Sequence, residues 1–125
     1  MSRTTALMLT MLLAAAGHAH AEGDAAAGEK VFAKCKACHV IDKPANRVGP
    51  TLMGVVGRQA GHVDGFKYSE AMKDSGLTWD DATLDQYLAD PKGFIPKNKM
   101  AFAGLKDEKD RQNVIAYLKQ AGAAQ

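Results

Sequence analysis

The chain has 125 residues and a mass of 13.3 kDa, room for one domain and too little for a TIM barrel or a doubly wound dinucleotide fold. Hydrophobic residues at 46% and charged residues at 24% are the ordinary mix of a folded, water-compatible domain, and two cysteines cannot build a multi-bridge disulfide scaffold. A formal charge of +2 excludes a protein that coats nucleic acid.

The first segment, residues 1–21, reads as a cleavable leader. Arg3 gives a positive start, Ala6–Gly17 is apolar, and Ala19-His20-Ala21 has the small-x-small form of a signal-peptidase site. The apolar run is shorter than the ~20 residues that span a bilayer. The expected domain is then 22–125, exported to the periplasm, with no stable membrane insertion. Cleavage removes Arg3, His18 and His20, so His39 and His62 are the histidines left to do chemistry.

Asp24 is placed to cap a helix through 25–35. Gly28, Phe32 and Cys35, spaced by four and three, share one face of it. The helix runs into Lys34-Cys35-Lys36-Ala37-Cys38-His39. This motif admits three chemistries. A structural zinc site would have three ligands here and need a fourth, with His62 the only histidine left over and no second paired cluster. A thioredoxin-like pair should open a helix after a strand, and no strand pattern precedes it. For haem attachment the spacing fits directly: two thiols three apart reach two vinyl groups, and the next residue is carried beneath the iron as an imidazole ligand.

A long stretch rich in glycine and proline follows, from Pro44 through Gly65. Loops of this length are rare in a compact domain unless something organises them. An apolar cofactor would do so, and would supply core to a chain with four Phe and one Trp. Short helices are predicted at Ser69–Lys73 and Asp80–Ala89. The second has Thr78 and Asp81 in capping-box spacing, and Pro91 ends it. The last helix begins near Asp107, with Val114, Ile115, Tyr117, Leu118 and Ala121 as its apolar stripe.

A proximal histidine calls for a distal partner from a separate segment. Met53, Met72, Met100, His62 and the lysines are candidates. Met53 lies too close to the attachment motif, and Met72 suits packing on a short helix. Met100, between Pro96 and Phe102 in a polar loop, belongs to no helical stripe, and His/Met is a standard haem pair.

Across residues 23–121 the chain resembles the class I cytochromes c of the mitochondrial and bacterial periplasmic type. The resemblance is carried by GEKVFAKCKACH, VGPTLMGVVGR, GFKYSEAMK, GLTWDDATLDQYLADPKGFIPKNKM and FAGLKDEKDRQNVIAYLKQA, in the same order and spacing. It implies an all-α class I cytochrome c fold of four to five helices, with long loops wrapped around one covalently bound haem c. It implies a monomeric one-electron carrier, not an enzyme. The alternative is a haem peroxidase or ligand sensor with a labile methionine. By resemblance, Cys35 and Cys38 hold the haem, His39 and Met100 ligate iron, and the Pro50 carbonyl accepts the His39 Nδ1 proton. Arg58, Tyr68, Trp79 and Asn98 surround the propionates, Tyr87 packs near the methionine sulfur, and Gly28, Phe32, Val114 and Tyr117 form a helix crossing. Lys30, Lys34, Lys92, Lys97, Lys99 and Lys106 flank the haem edge where redox proteins would dock. Met72 and Asn98 depart from the mitochondrial pattern of asparagine and threonine, respectively.

Overall fold

A computed structural model describes residues 23–123; the expected leader lies outside them. Five helices appear in the described chain: α1 (Ala25–Phe32), α2 (Glu70–Lys73), α3 (Asp81–Ala89), α4 (Pro91–Phe94) and α5 (Glu108–Ala121). The described residues contain no strand beyond one isolated antiparallel bridge between Gln59 and Thr78. The all-α expectation holds.

Helix α1 starts where its cap dictates. The Asp24 carboxylate accepts from the backbone N–H of Ala26 at 2.9 Å and of Ala27 at 3.4 Å, satisfying donors that have no partner inside the helix. It ends at Phe32, earlier than the predicted Cys35, because the ladder tightens into three-residue turns. Cys35 N–H donates to Phe32 O at 2.8 Å, and Lys34 N–H to Val31 O at 3.2 Å. The attachment motif therefore sits on turns, not on the helix.

Helix α5 starts at the Asp107 cap, as expected, with Asp110 N–H donating to its carboxylate at 3.0 Å. It crosses α1 in the most extensive helix contact of the fold. Phe32 and Val114 are 1% and 2% exposed there, and the Phe32 and Tyr117 rings lie 5.2 Å apart. Burying a side chain the size of Phe32 is worth about 1.5–3 kcal/mol. Gly28 makes the approach possible: a Cβ at that position would collide with the carbonyl of Asn113. Asn113 in turn accepts from Asp24 N–H at 2.8 Å, tying the chain start to α5.

Helix α3 is capped by Asp80 and Thr83, not by the predicted Thr78 and Asp81. Thr83 N–H donates to the Asp80 carboxylate at 2.8 Å, and Asp80 N–H donates to Thr83 Oγ1 at 3.0 Å. The cause is tertiary. Trp79 is held extended by two bonds, Gly57 N–H to Trp79 O at 2.7 Å and Trp79 N–H to Arg58 O at 2.9 Å, so the helix cannot begin before Asp80. Pro91 ends α3 as predicted and also occupies the first position of α4, where its missing N–H costs nothing. Helix α3 packs on α5 and α4, whereas α2 packs on no other helix among the described residues.

Candidate cofactor site

One cavity of about 290 Å³ opens between the α1–α5 pair, α3 and the long loops. Its wall is mostly apolar, with Phe32, Leu84, Leu105 and Val114 deep in it, and no carboxylate lines it. Cys35, Cys38 and His39 face it from the turns after α1. Cys38 N–H and His39 N–H both converge on Cys35 O, at 3.1 and 2.9 Å, which folds the motif into a single tight turn. The thiols are not paired with each other. Burial pushes the Cys35 thiol up, the neighbouring Cys38 adds to this, and Lys34 partly offsets it.

His39 is oriented from behind. Its Nδ1 lies 2.7 Å from the Pro50 carbonyl, an acceptor only, so Nδ1 carries the proton and Nε2 keeps its lone pair. Burial holds the imidazole below the usual histidine range, the Pro50 bond works the other way, and the Arg58 charge lowers it further; the ring is neutral and ready to ligate. Gly49 supports this placement, since a Cβ there would run into the imidazole. The sequence reading missed Gly49; the Gly-Pro pair after the attachment motif was its signal.

Met100 faces the same cavity from the segment after α4. Three side chains fix its backbone and sulfur. The Asn98 Oδ1 accepts from Met100 N–H at 2.9 Å. Lys92 Nζ donates to Asn98 O at 2.6 Å. The Tyr87 hydroxyl sits 4.0 Å from the Met100 sulfur. Burial pushes the Tyr87 phenol up to about 12, so it remains a donor at neutral pH. Of the other candidate ligands, Met72, Lys34 and Lys99 also line the cavity, while Met53 and His62 do not. The exposed His62 ring bonds to Ala60 O at 2.7 Å.

Arg58, Tyr68, Trp79 and Asn98 all line the cavity. The half-buried Arg58 guanidinium donates to Met53 O at 3.0 Å and has no carboxylate partner among the described residues. Burial pulls Arg58 down, and the nearby Tyr68 raises it. Tyr68 Oη accepts from Val63 N–H at 3.2 Å and keeps its own hydrogen to give. The buried Asn98 spends both amide hydrogens on loop carbonyls, Pro91 O at 2.7 Å and Ile95 O at 2.8 Å. Its observed contacts are thus those of a loop brace, a role the sequence did not announce.

This donor set suits one kind of occupant. Two adjacent thiols, an imidazole nitrogen and a thioether face an apolar slot, and a guanidinium and a phenol with spare donors stand where an anionic edge would go. Such a slot fits a haem, with an apolar macrocycle and two carboxylates. A helical fold closed around that slot, with a C-x-x-C-H turn on its wall, defines the haem c proteins. The chain belongs to the cytochrome c family, whose model matches residues 25–122. It is 54% identical over 101 residues to cytochrome c2 of Rhodomicrobium vannielii, covering 80% of this chain and 81% of the relative. It is 50% identical over 109 residues to cytochrome c-554 of Methylosinus trichosporium, covering 86% and 83%. Among solved structures, cytochrome cH from Methylobacterium extorquens superposes with a TM-score of 0.75 at 60% identity, covering 78% of this chain and 99% of that one. The family binds haem c covalently and carries electrons; it is not a family of enzymes.

Proposed function

We propose that this protein is an exported one-electron carrier in which His39 and Met100 are the two axial ligands of a single haem c, attached through Cys35 and Cys38. The observation that carries this reading is that a neutral imidazole with Nε2 free and a braced thioether, from segments far apart in sequence, share one apolar cavity. When bound, the haem supplies a reversible one-electron iron couple. The chain does the rest. Pro50 fixes the His39 tautomer and raises its basicity. The soft Met100 thioether favours the reduced state, and the apolar wall disfavours the extra positive charge of the oxidised one. Arg58 and Tyr68 would supply donors to the propionates, and Trp79 lines the same cavity. With His39 and Met100 both holding the iron, a bound haem would have no open position for a substrate. The peroxidase alternative needs Met100 off the iron, which the Asn98, Lys92 and Tyr87 braces oppose.

The docking surface is the cavity mouth. Among the lining residues, Lys34, Val48, Lys99 and Ala101 are exposed, two cations and two apolar groups with no acid between them. Lys92, Lys97 and Lys106 extend the positive patch toward acidic redox partners. Among the described residues no helix is long and apolar enough to cross a membrane, and the leader at 1–21 directs the chain to the periplasm.

Met100→Ala tests the ligand assignment. The band near the red end of the ferric spectrum should vanish, the potential should fall, and imidazole should bind without competition. If Met72→Ala abolished the band and Met100→Ala kept it, the assignment would be refuted.

A further inference from the structure

Helix α3 ends without a cation of its own. Its last turn holds no basic residue, although the free carbonyls at a helix C-terminus carry partial negative charge that a nearby cation stabilises. The missing cation arrives from elsewhere in the chain. Lys106 Nζ donates to Ala89 O, on the final residue of α3, at 2.9 Å, and to Ala103 O at 3.2 Å. Beside it, Leu105 N–H donates to Leu88 O at 2.7 Å. Arg111 backs this contact from α5: its Nη1 donates to Leu105 O at 2.9 Å and Lys106 O at 3.0 Å, while its Nε binds the Asp85 carboxylate of α3 at 2.7 Å.

The same helix carries Tyr87, whose hydroxyl approaches the Met100 sulfur. A circuit closes. It runs from Met100 along 101–105 to Lys106, across to the end of α3, back along that helix to Tyr87, and from Tyr87 to Met100. We propose that Lys106 is a positioning residue for the Met100 sulfur. By fastening the trailing end of the methionine segment to the C-terminus of α3, it keeps sulfur and phenol in register. The inference rests on Met100 being an axial ligand. It gives Lys106 work beyond docking, since two of its hydrogens are already committed inside the protein.

The test uses ferric holo-protein and the rate at which added imidazole displaces the native ligand, followed by loss of the red band. Lys106→Met removes the charge and the donors but keeps the side-chain length, and should speed displacement roughly two- to fivefold, the factor expected from losing a helix-end charge. Lys106→Arg should restore the slow rate. Lys109→Met is the control: it removes an equal charge from a nearby exposed lysine outside the docking patch. Equal acceleration in Lys109→Met and Lys106→Met, or an unchanged rate in Lys106→Met, would overturn the proposal. A wild-type protein without the red band, or a band that survives Met100→Ala, would sink the ligand assignment and this inference with it. A band present in the wild type and lost in Met100→Ala leaves that assignment standing whatever the Lys106 variants do.

Discussion

The two sides of this molecule are held together by different physics. At the α1–α5 crossing, backbone meets backbone over Gly28, and Phe32 and Val114 are almost wholly buried. That side is specified mainly by apolar burial between regular elements, with Phe32 and Val114 also turning one edge to the cavity. The cavity side has little regular structure. Its segments are placed by single polar contacts: Thr51 Oγ1 to Lys43 O at 2.6 Å, Arg58 to Met53 O, Asn98 to Pro91 O and Ile95 O, and Lys106 to Ala89 O. Each such bond contributes about 1 kcal/mol net, while each residue ordered costs ~1–2 kcal/mol of backbone entropy. The difference teaches that the loop side owes its order to what fills the cavity.

The sharpest way to break the contrast is to remove the filling. Cys35→Ala with Cys38→Ala should leave little folded protein, because the cavity wall loses its covalent occupant. A purified apo double variant that is helical by circular dichroism and melts cooperatively would show that the loop side orders itself.

Next in size is the crossing. Gly28→Val drives a side chain into the Asn113 carbonyl and should cost about 3 kcal/mol or more, read by denaturant unfolding of the holo-protein. A cost below about 1 kcal/mol would mean the helices part without penalty.

On the cavity side, alkali should act through Tyr87. Burial raises its phenol to about 12 in the fold, against about 10 in the unfolded chain. The folded state therefore holds the proton where the unfolded state has lost it. The stabilisation is complete below pH 10 and is lost as pH rises through 12, on the order of 2–3 kcal/mol in all. Tyr87→Phe should flatten that slope in pH-dependent unfolding; an identical slope would place the titration elsewhere.

The smallest effect is at the mouth. Electron transfer to an acidic partner should slow as ionic strength rises. Lys34→Glu should lower the rate a few-fold. Lys73→Glu changes net charge equally but sits in an exposed pair with Glu70 at 2.7 Å, and should lower it less. Equal losses would make the lysines ordinary surface.

What the sequence made legible follows the same divide. Asp24 and Asp107 announced the starts of α1 and α5 because a cap is a local feature, readable from neighbours in sequence. The C-x-x-C-H turn was legible because attachment chemistry demands fixed spacing, whereas the His39–Pro50 contact was legible only through the family resemblance. The α3 cap was misplaced by two residues' register because bonds from Gly57 and Arg58, distant in sequence, decide where Trp79 stops being extended. The Asn98 brace, the left-handed backbone at Lys97 (φ 66) and the Lys106 clasp were hidden for the same reason. Nothing local requires them; they exist because the chain returns to itself around a cavity.

The neck at Trp79 also has a bearing on how such a chain can change over generations. Gly57 to Trp79, Trp79 to Arg58 and Ala60 to Leu77 are joined by backbone bonds, with Gln59 bridging Thr78 between them. The excursion between is thereby cinched at its base, so its length is uncoupled from the placement of Arg58 and Trp79. Doubling a flexible loop costs only about 0.6 kcal/mol in closure entropy. Gly76 is exposed and supplies the left-handed backbone (φ 66) of a turn there. Insertions at the exposed turn around Gly76 would lengthen the excursion while the cinch holds Arg58 and Trp79, but Phe66, Tyr68 and Met72 on the same excursion also line the cavity, so new surface is tolerated only after the last of them.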